Sequence, residues 1–211
     1  MNRVILSAST DETILAVTRQ HKLVDLEIEQ QINTEIVGCI YKGVVKNIVP
    51  AVDGIFVDIG IGKNAFLRRK DLLNEKRFPT EGSPILAQVI KSDTDMKGAL
   101  ITEKISMFGK YAVTLSGTGY IGVSKKIRQE SVRKKLKEIG KEICAEHMGL
   151  IIRTAAENAD MDEFRKDITR LKENWDIIQK RFRMEKSPTL LYRESDIIVK
   201  ALRDYVNKGT E

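Results

Sequence analysis

The 211 residues include 42% hydrophobic and 31% charged side chains, a balance that excludes a disordered or low-complexity protein. Lys and Arg number 36 against 30 Asp and Glu, and the net charge of +6 points to an anionic partner, with nucleic acid first among the candidates. Cys39 and Cys144 lie far apart with no CxxC, which excludes a disulfide framework or a zinc site, and no apolar run approaches membrane-spanning length.

With no secretory signal ahead of the first strand, a cytoplasmic protein is expected. The two histidines, His21 and His147, read as a turn residue and a helix-end residue.

Residues 2–30 carry a strand rhythm. "RVILSAS", "TILAVTR" and "LVDLEIE" are separated by short polar breaks, and the last alternates apolar and acidic residues. Period two with such breaks predicts a three-stranded antiparallel meander. Three strands are barely a domain, and this meander has no obvious partner in the sequence.

A second all-β block runs from Ile36 to Ile105. "IVGCIYKGVVKNIV", "GIFVDIG", "AFLRRKDL", "SPILAQVIKS" and "GALITEKI" give five strands with glycines at the corners. That pattern fits a small closed barrel such as the OB-fold. A polar loop, "NEKRFPTEG", joins the third strand to the fourth.

From Ser106 the character is α+β. "KYAVTL" and "YIGVS" are strands around the turn "SGTG". A helix follows in "QESVRKKLKEIG", with Val132, Leu136 and Ile139 on one face and Gly140 as its stop. "GLIIRT" is then a buried strand. A long helix starts near Asp160, where Asp160 and Glu163 have capping-box spacing. Its apolar stripe is Phe164, Ile168, Leu171, Trp175, Ile178 and Phe182, read as core. A short strand in "SPTLLYRES" and a final amphipathic helix follow, with Ile198, Leu202 and Tyr205 inward. Nothing follows that helix, and the sequence reads as part of a longer protein.

The barrel carries the first candidate chemistry. Single-stranded RNA is bound by aromatic platforms flanked by cations. Phe56 and Phe66 bracket a Gly-rich turn, with Lys42, Lys63, Arg68 and Arg69 close in sequence. Either phenylalanine alone reads as core. The pair, with its cations, reads as an RNA surface.

The second candidate lies where "GLIIRT" ends. An arginine and a threonine there can cap a helix, pair with a carboxylate or hold a phosphate. Asp53, Asp58, Asp93 and Asp95 are turn or strand residues whose spacing shows no metal cluster. Lys125, Lys126, Arg128, Arg133, Lys134, Lys135, Lys137 and Lys141 read as a solvated helix face or an RNA guide.

Four stretches, in order, resemble the ribonuclease E/G family: "RVILSASTDETILAV", "IVGCIYKGVVKNIVPAVDGIFVDIGIGKNAFLRRKDL", "GLIIRTAAENA" and "ESDIIVKALRDYV". The resemblance implies an α+β, multidomain fold. An S-one-type OB-fold barrel (36–105) is inserted after the first strands (1–35) of an RNase H-like subdomain. An α+β 5′-sensor domain (106–198) follows, then the start of a return into that subdomain (199–211). It implies recognition of single-stranded RNA bearing a 5′-monophosphate. Arg153 and Thr154 would be the sensor pair, main-chain groups near Gly109 and Val113 would close the pocket, and Lys125 would stand where relatives carry arginine. Phe56 and Phe66 would contact bases, with Lys97 on the RNA backbone. Ile59 stands where relatives often carry an aromatic.

By the same resemblance, cleavage uses Mg2+ in a later DNase I-like domain, and Zn2+ links protomers into dimers or tetramers. No catalytic residue and no cofactor are expected in these 211 residues. Two other readings compete: a self-contained nuclease with an unrecognised acidic site, and a stand-alone OB-fold module for RNA or protein.

Overall fold

The computed structural model describes residues 2–30, 36–94, 97–144, 148–193 and 197–206. His147 and Asp95 lie outside the described residues, as does the start of "ESDIIVKALRDYV". The chain forms two compact units, Met1–Ile36 with Arg193–Glu211, and Val37–Tyr192. Among the described residues no helix is long and apolar enough to cross a membrane.

The first unit holds the expected meander: β1 (Asn2–Ala8), β2 (Glu12–Arg19) and β3 (Lys22–Gln30), all antiparallel. His21 sits in the β2–β3 turn, where it and Gln20 both take positive φ, the conformation of a two-residue hairpin turn. The meander does have a partner. The partner is the last helix, α3 (Ile197–Asp204). Leu15 and Val17 of β2 form one buried cluster with Ile197 and Ala201, and Val4 and Tyr205 pack against it. The Ile197 N–H donates to the Glu29 carboxylate at 3.1 Å, and the Tyr205 hydroxyl donates to Asp25.

The inward face of α3 is therefore 197–201–205. Ile198 and Leu202, expected inward, are 38% and 54% exposed. "DIIVKAL" offers two overlapping apolar stripes at helical spacing, and packing selects the one that starts a residue earlier.

The second unit begins with the barrel: β4 (Ile40–Val49), β5 (Gly54–Asp58), β6 (Ala65–Arg68), β7 (Pro84–Lys91) and β8 (Leu100–Thr102). The strand order β4-β5-β6-β8-β7 closes through a β4–β7 pairing. This is the five-stranded, OB-like barrel that the sequence predicts. β6 and β8 are the parallel pair. A late strand, β13 (Thr189–Tyr192), adds to β4.

A second sheet has the order β11-β12-β10-β9, built from β9 (Ser106–Phe108), β10 (Ala112–Ser116), β11 (Ile121–Val123) and β12 (Met148–Ile152). β9 is not predicted from the sequence, because three residues are too few to show a period. Helices α1 (Glu130–Ile143) and α2 (Met161–Met184) belong to this half of the unit. Leu136, Leu150, Ile152, Phe164, Ile168, Leu171 and Ile178 share one buried cluster, with Trp175 and Phe182 packed partly buried against it.

Two helix-end expectations change. Gly140 does not stop α1; the helix runs to Ile143, and Gly140 is buried within it. A Cβ there would stand 3.1 Å from Leu150 and 3.3 Å from Ile121, so glycine lets α1 lie close on the sheet. Asp160 caps α2, accepting from the N–H groups of Asp162 and Glu163 at 2.8 and 3.3 Å. The capping box is not reciprocal, because the Glu163 carboxylate accepts instead from the Tyr111 hydroxyl at 2.7 Å.

Candidate nucleic-acid interface

Strand alternation sets the face of the barrel on which the two phenylalanines lie. Ile55 and Val57 on β5, and Ala65 and Leu67 on β6, are all fully buried. Successive side chains point to opposite faces, so Phe56 and Phe66 lie on the other face of each strand. They stand directly opposite each other in the β5–β6 register, with ring centroids 5.4 Å apart and planes tilted by 49°. Both are half-buried. They line an open groove of about 700 Å³ together with Lys91, Thr94, Lys97 and Gly98. A Cβ on Gly54 would fall 2.3 Å from the Phe66 ring, so only glycine lets that ring lie along β5. Lys97 is exposed at the groove.

The other expected barrel cations stand differently. Lys42 is 9% exposed. Its ammonium donates to the carbonyls of Phe182 and Glu185 at 2.6 Å each, and lies 5.0 Å from the centre of the Phe182 ring. It caps the C-terminus of α2 and does not line the Phe56–Phe66 groove, which corrects the expectation that it stands with those rings. Arg68 is half-exposed and its Nε donates to the Asp71 carboxylate. Arg69 pairs with Asp53 and stacks 3.9 Å from the Phe78 ring centre. Ile59 is 1% exposed, a core residue rather than a member of the aromatic face.

The second site forms at one end of the other sheet. β11 runs parallel to β12, with Val123 beside Ile152, so the residues after each strand emerge side by side. The Ser124 N–H donates to the Ile152 carbonyl at 2.8 Å. Thr154 is exposed, and its hydroxyl lies 2.9 Å from that of Ser124. Arg153 is half-buried; its main-chain N–H donates to the Tyr111 carbonyl and its Nη1 to the Gly109 carbonyl, both at 2.8 Å. Within the strand itself Leu150 and Ile152 are buried but Ile151 is 39% exposed, so β12 is buried on one face only.

Gly109 contributes its carbonyl, which orients Arg153. Its N–H is committed to the Ala112 carbonyl at 2.8 Å, and Val113 stands mid-strand between Phe108 and Ile151. A Cβ on Gly109 would fall 2.4 Å from the Asp167 carboxylate. That carboxylate accepts from the N–H groups of Lys110 and Tyr111 at 3.2 and 2.8 Å and so fixes the β9–β10 turn.

Lys125 is exposed, next to Ser124. Arg133 is a scaffold for this loop: its Nη1 donates to the Ser124 and Ile127 carbonyls at 2.7 and 2.9 Å. Lys134, Lys135, Lys137 and Lys141 form an exposed face of α1.

Ser124 and Asp167 are candidate-site residues that sequence reasoning missed, and Arg133 reads in the sequence only as part of a basic helix face or RNA guide. Asp167 reaches its partners across 56 and 57 positions, so no local pattern marks it. Chemically, a guanidinium and two hydroxyls on residues at the ends of neighbouring strands are groups that suit a phosphate, since a guanidinium binds two oxygens at once.

Among the described residues no three His, Cys, Asp or Glu side chains gather to hold a metal ion. Cys39 is buried and Cys144 half-buried.

Residues 34–102 match the S1 RNA binding domain, and residues 106–211 match the Ribonuclease E/G family. Ribonuclease G of Escherichia coli (strain K12) is 32% identical across 97% of this chain and 45% of its own length. Ribonuclease G of Haemophilus influenzae is 32% identical across 99% of this chain and 46% of its own length. Ribonuclease E of Buchnera aphidicola is 31% identical across 99% of this chain and 23% of its own. The chain thus spans less than half the length of these relatives. An RNA-binding barrel by itself would leave the kinship open, but the likeness continues through the sheet that carries Arg153 and Thr154, and the chain belongs to the ribonuclease E/G family.

Proposed function

We propose that this chain selects RNA for an endoribonuclease: the barrel holds single-stranded bases, and the Arg153 site recognises a 5′-monophosphate end. The observation that carries the reading is the outward Phe56–Phe66 pair beside Lys97 in an open groove. Unpaired bases stack on such rings without regard to sequence, and an exposed lysine offsets the backbone charge. The 5′ specificity rests on Thr154 and Ser124 meeting where β11 and β12 end, with Arg153 next to Thr154 in the chain and its guanidinium on the Gly109 carbonyl. A terminal phosphate offers more charge and more free oxygens than an internal one, and so gains more from a guanidinium and two hydroxyls.

The test is binding of one labelled single-stranded RNA, carrying either a 5′-monophosphate or a 5′-hydroxyl, to the wild type and to Arg153→Ala. Hydrogen bonds to charged groups contribute about 1.5–3 kcal/mol each, so a preference of roughly ten-fold or more is expected in the wild type and none in the mutant. Equal binding of both RNAs by the wild type sinks the 5′ reading and leaves the barrel reading to stand on its own.

A further inference from the structure

A second cleft, of about 310 Å³, opens between the barrel and α2, and shares no residue with the groove or the Arg153 site. Its walls are apolar: Leu73, Leu86, Ile105 and the Trp175 ring. Glu103, Gln179 and Ser116 supply its polar side chains, and the Ser116 hydroxyl already donates to the Glu103 carbonyl at 3.2 Å. One Glu103 oxygen accepts from the Leu73 N–H at 3.0 Å. Its other oxygen and the Gln179 amide have no hydrogen-bond partner among the described residues. Burial pushes the Glu103 carboxyl above its ordinary range, which the Leu73 N–H only partly offsets.

This lining selects a planar ligand with both donors and acceptors. Lysine or arginine side chains offer donors to Glu103 but no acceptor for the Gln179 amide N–H groups. Guanine offers two adjacent N–H donors on its Watson–Crick edge, and O6 and N7 as acceptors. Adenine and cytosine place an acceptor beside the amine, which a carboxylate repels. An adjoining cleft of about 350 Å³ shares Leu73 and Glu103 and adds Arg77, an exposed cation with no carboxylate partner among the described residues. Both volumes lie in the range of small-ligand sites.

We propose that this double cleft binds a guanosine 5′-phosphate unit, the base against Trp175 and Glu103 and the phosphate toward Arg77. The unit comes from an RNA strand or from a free nucleotide; the first source rests on the RNA reading above.

Trp175 is the single tryptophan of the chain, so the indole emission comes from one wall of this cleft. The 211-residue protein is titrated with GMP, AMP, CMP and UMP. GMP is expected to change the emission saturably, with the other three about ten-fold weaker or less. Glu103→Gln keeps an acceptor for the Leu73 N–H and is expected to bring GMP down to the level of AMP. Arg77→Ala is expected to weaken GMP but not guanosine. Equal titration by GMP and AMP, or unchanged GMP binding in Glu103→Gln, overturns the proposal. An oligoadenylate gaining affinity from one internal guanosine, in the wild type but not in Glu103→Gln, upholds the site with RNA as the source. GMP binding without that gain upholds it with the free nucleotide. The same GMP titration on Phe56→Ala is expected to match the wild type, which separates failure of this site from failure of the barrel reading.

Discussion

The hydroxyls of Ser124 and Thr154 lie 2.9 Å apart although the residues are 30 positions apart in the chain. The parallel β11–β12 pairing causes this, by setting Val123 beside Ile152 so that both strands release their next residues at one edge. When one hydroxyl donates to the other, it leaves the second proton for an incoming oxygen. Ser124→Ala therefore removes a contact that holds Thr154 in place, without touching Arg153. A neutral hydrogen bond contributes about 1 kcal/mol, so the preference for 5′-monophosphate RNA should fall by roughly five-fold. Competition between 5′-phosphate and 5′-hydroxyl RNA, read by anisotropy, checks this. A wild-type preference in Ser124→Ala removes Ser124 from the site.

The Phe66 ring depends on Gly54. An added Cβ would stand 2.3 Å from the ring, while β5 gives Gly54 no positive φ that alanine would resist. The ring faces the open groove, so it swings aside more cheaply than the barrel deforms. Gly54→Ala should then resemble Phe66→Ala in RNA binding, losing about 1–3 kcal/mol for one stacked base. Urea unfolding should show the barrel intact in both variants. A collapse of stability in Phe66→Ala with RNA affinity retained would make Phe66 a packing residue.

Strands and helices with a clear period were legible in the sequence, because burial imposes that period directly. The meander, the five barrel strands and the α2 stripe are of this kind. What was illegible depends on distant partners. β9 is three residues long and exists because β10 pairs with it. α3 carries two apolar stripes, and only the cluster around Leu15 and Val17 selects between them. Phe56 and Phe66 could be read as a pair, since a strand puts every second residue on one face. Lys42 sits in the same barrel sequence, but nothing local shows that the end of α2, 140 positions later, covers it.

That placement makes Lys42 a stability residue. Its ammonium serves two carbonyls at the C-terminus of α2, where the helix dipole also favours a cation. Lys42→Met keeps the apolar stem and leaves both carbonyls without this donor. The expected loss is about 2–3 kcal/mol of unfolding free energy, from bonds to a charged group in a site mostly closed to water. RNA affinity should be unchanged. Urea midpoints and RNA titrations on the same protein distinguish this from a surface lysine, whose removal would do the reverse.

Tyr111 gives the fold an alkaline limit. Burial first, and then its hydrogen bond to the Glu163 carboxylate, push its hydroxyl from the ordinary value of 10.0 up to about 12. The folded state thus favours the neutral phenol. Its contribution is fully present below pH 10 and is lost as the pH rises through 12, where the folded state releases the proton as well. Tyr205 is also pushed up to about 12, chiefly by its bond to Asp25, and declines over the same window. Wild-type stability alone cannot separate the two, but the difference between wild type and Tyr111→Phe can. That difference should favour the wild type near neutral pH and shrink between pH 10 and 12, in urea unfolding measured at each pH. A constant difference across that window would mean that the Glu163 bond does not discriminate between the two forms of the phenol. The main chain of Tyr111 also joins Asp167 to Arg153, through its N–H and its carbonyl. Loss of the bond to Glu163 should therefore loosen the turn at Gly109 and lower the 5′-monophosphate preference at neutral pH as well.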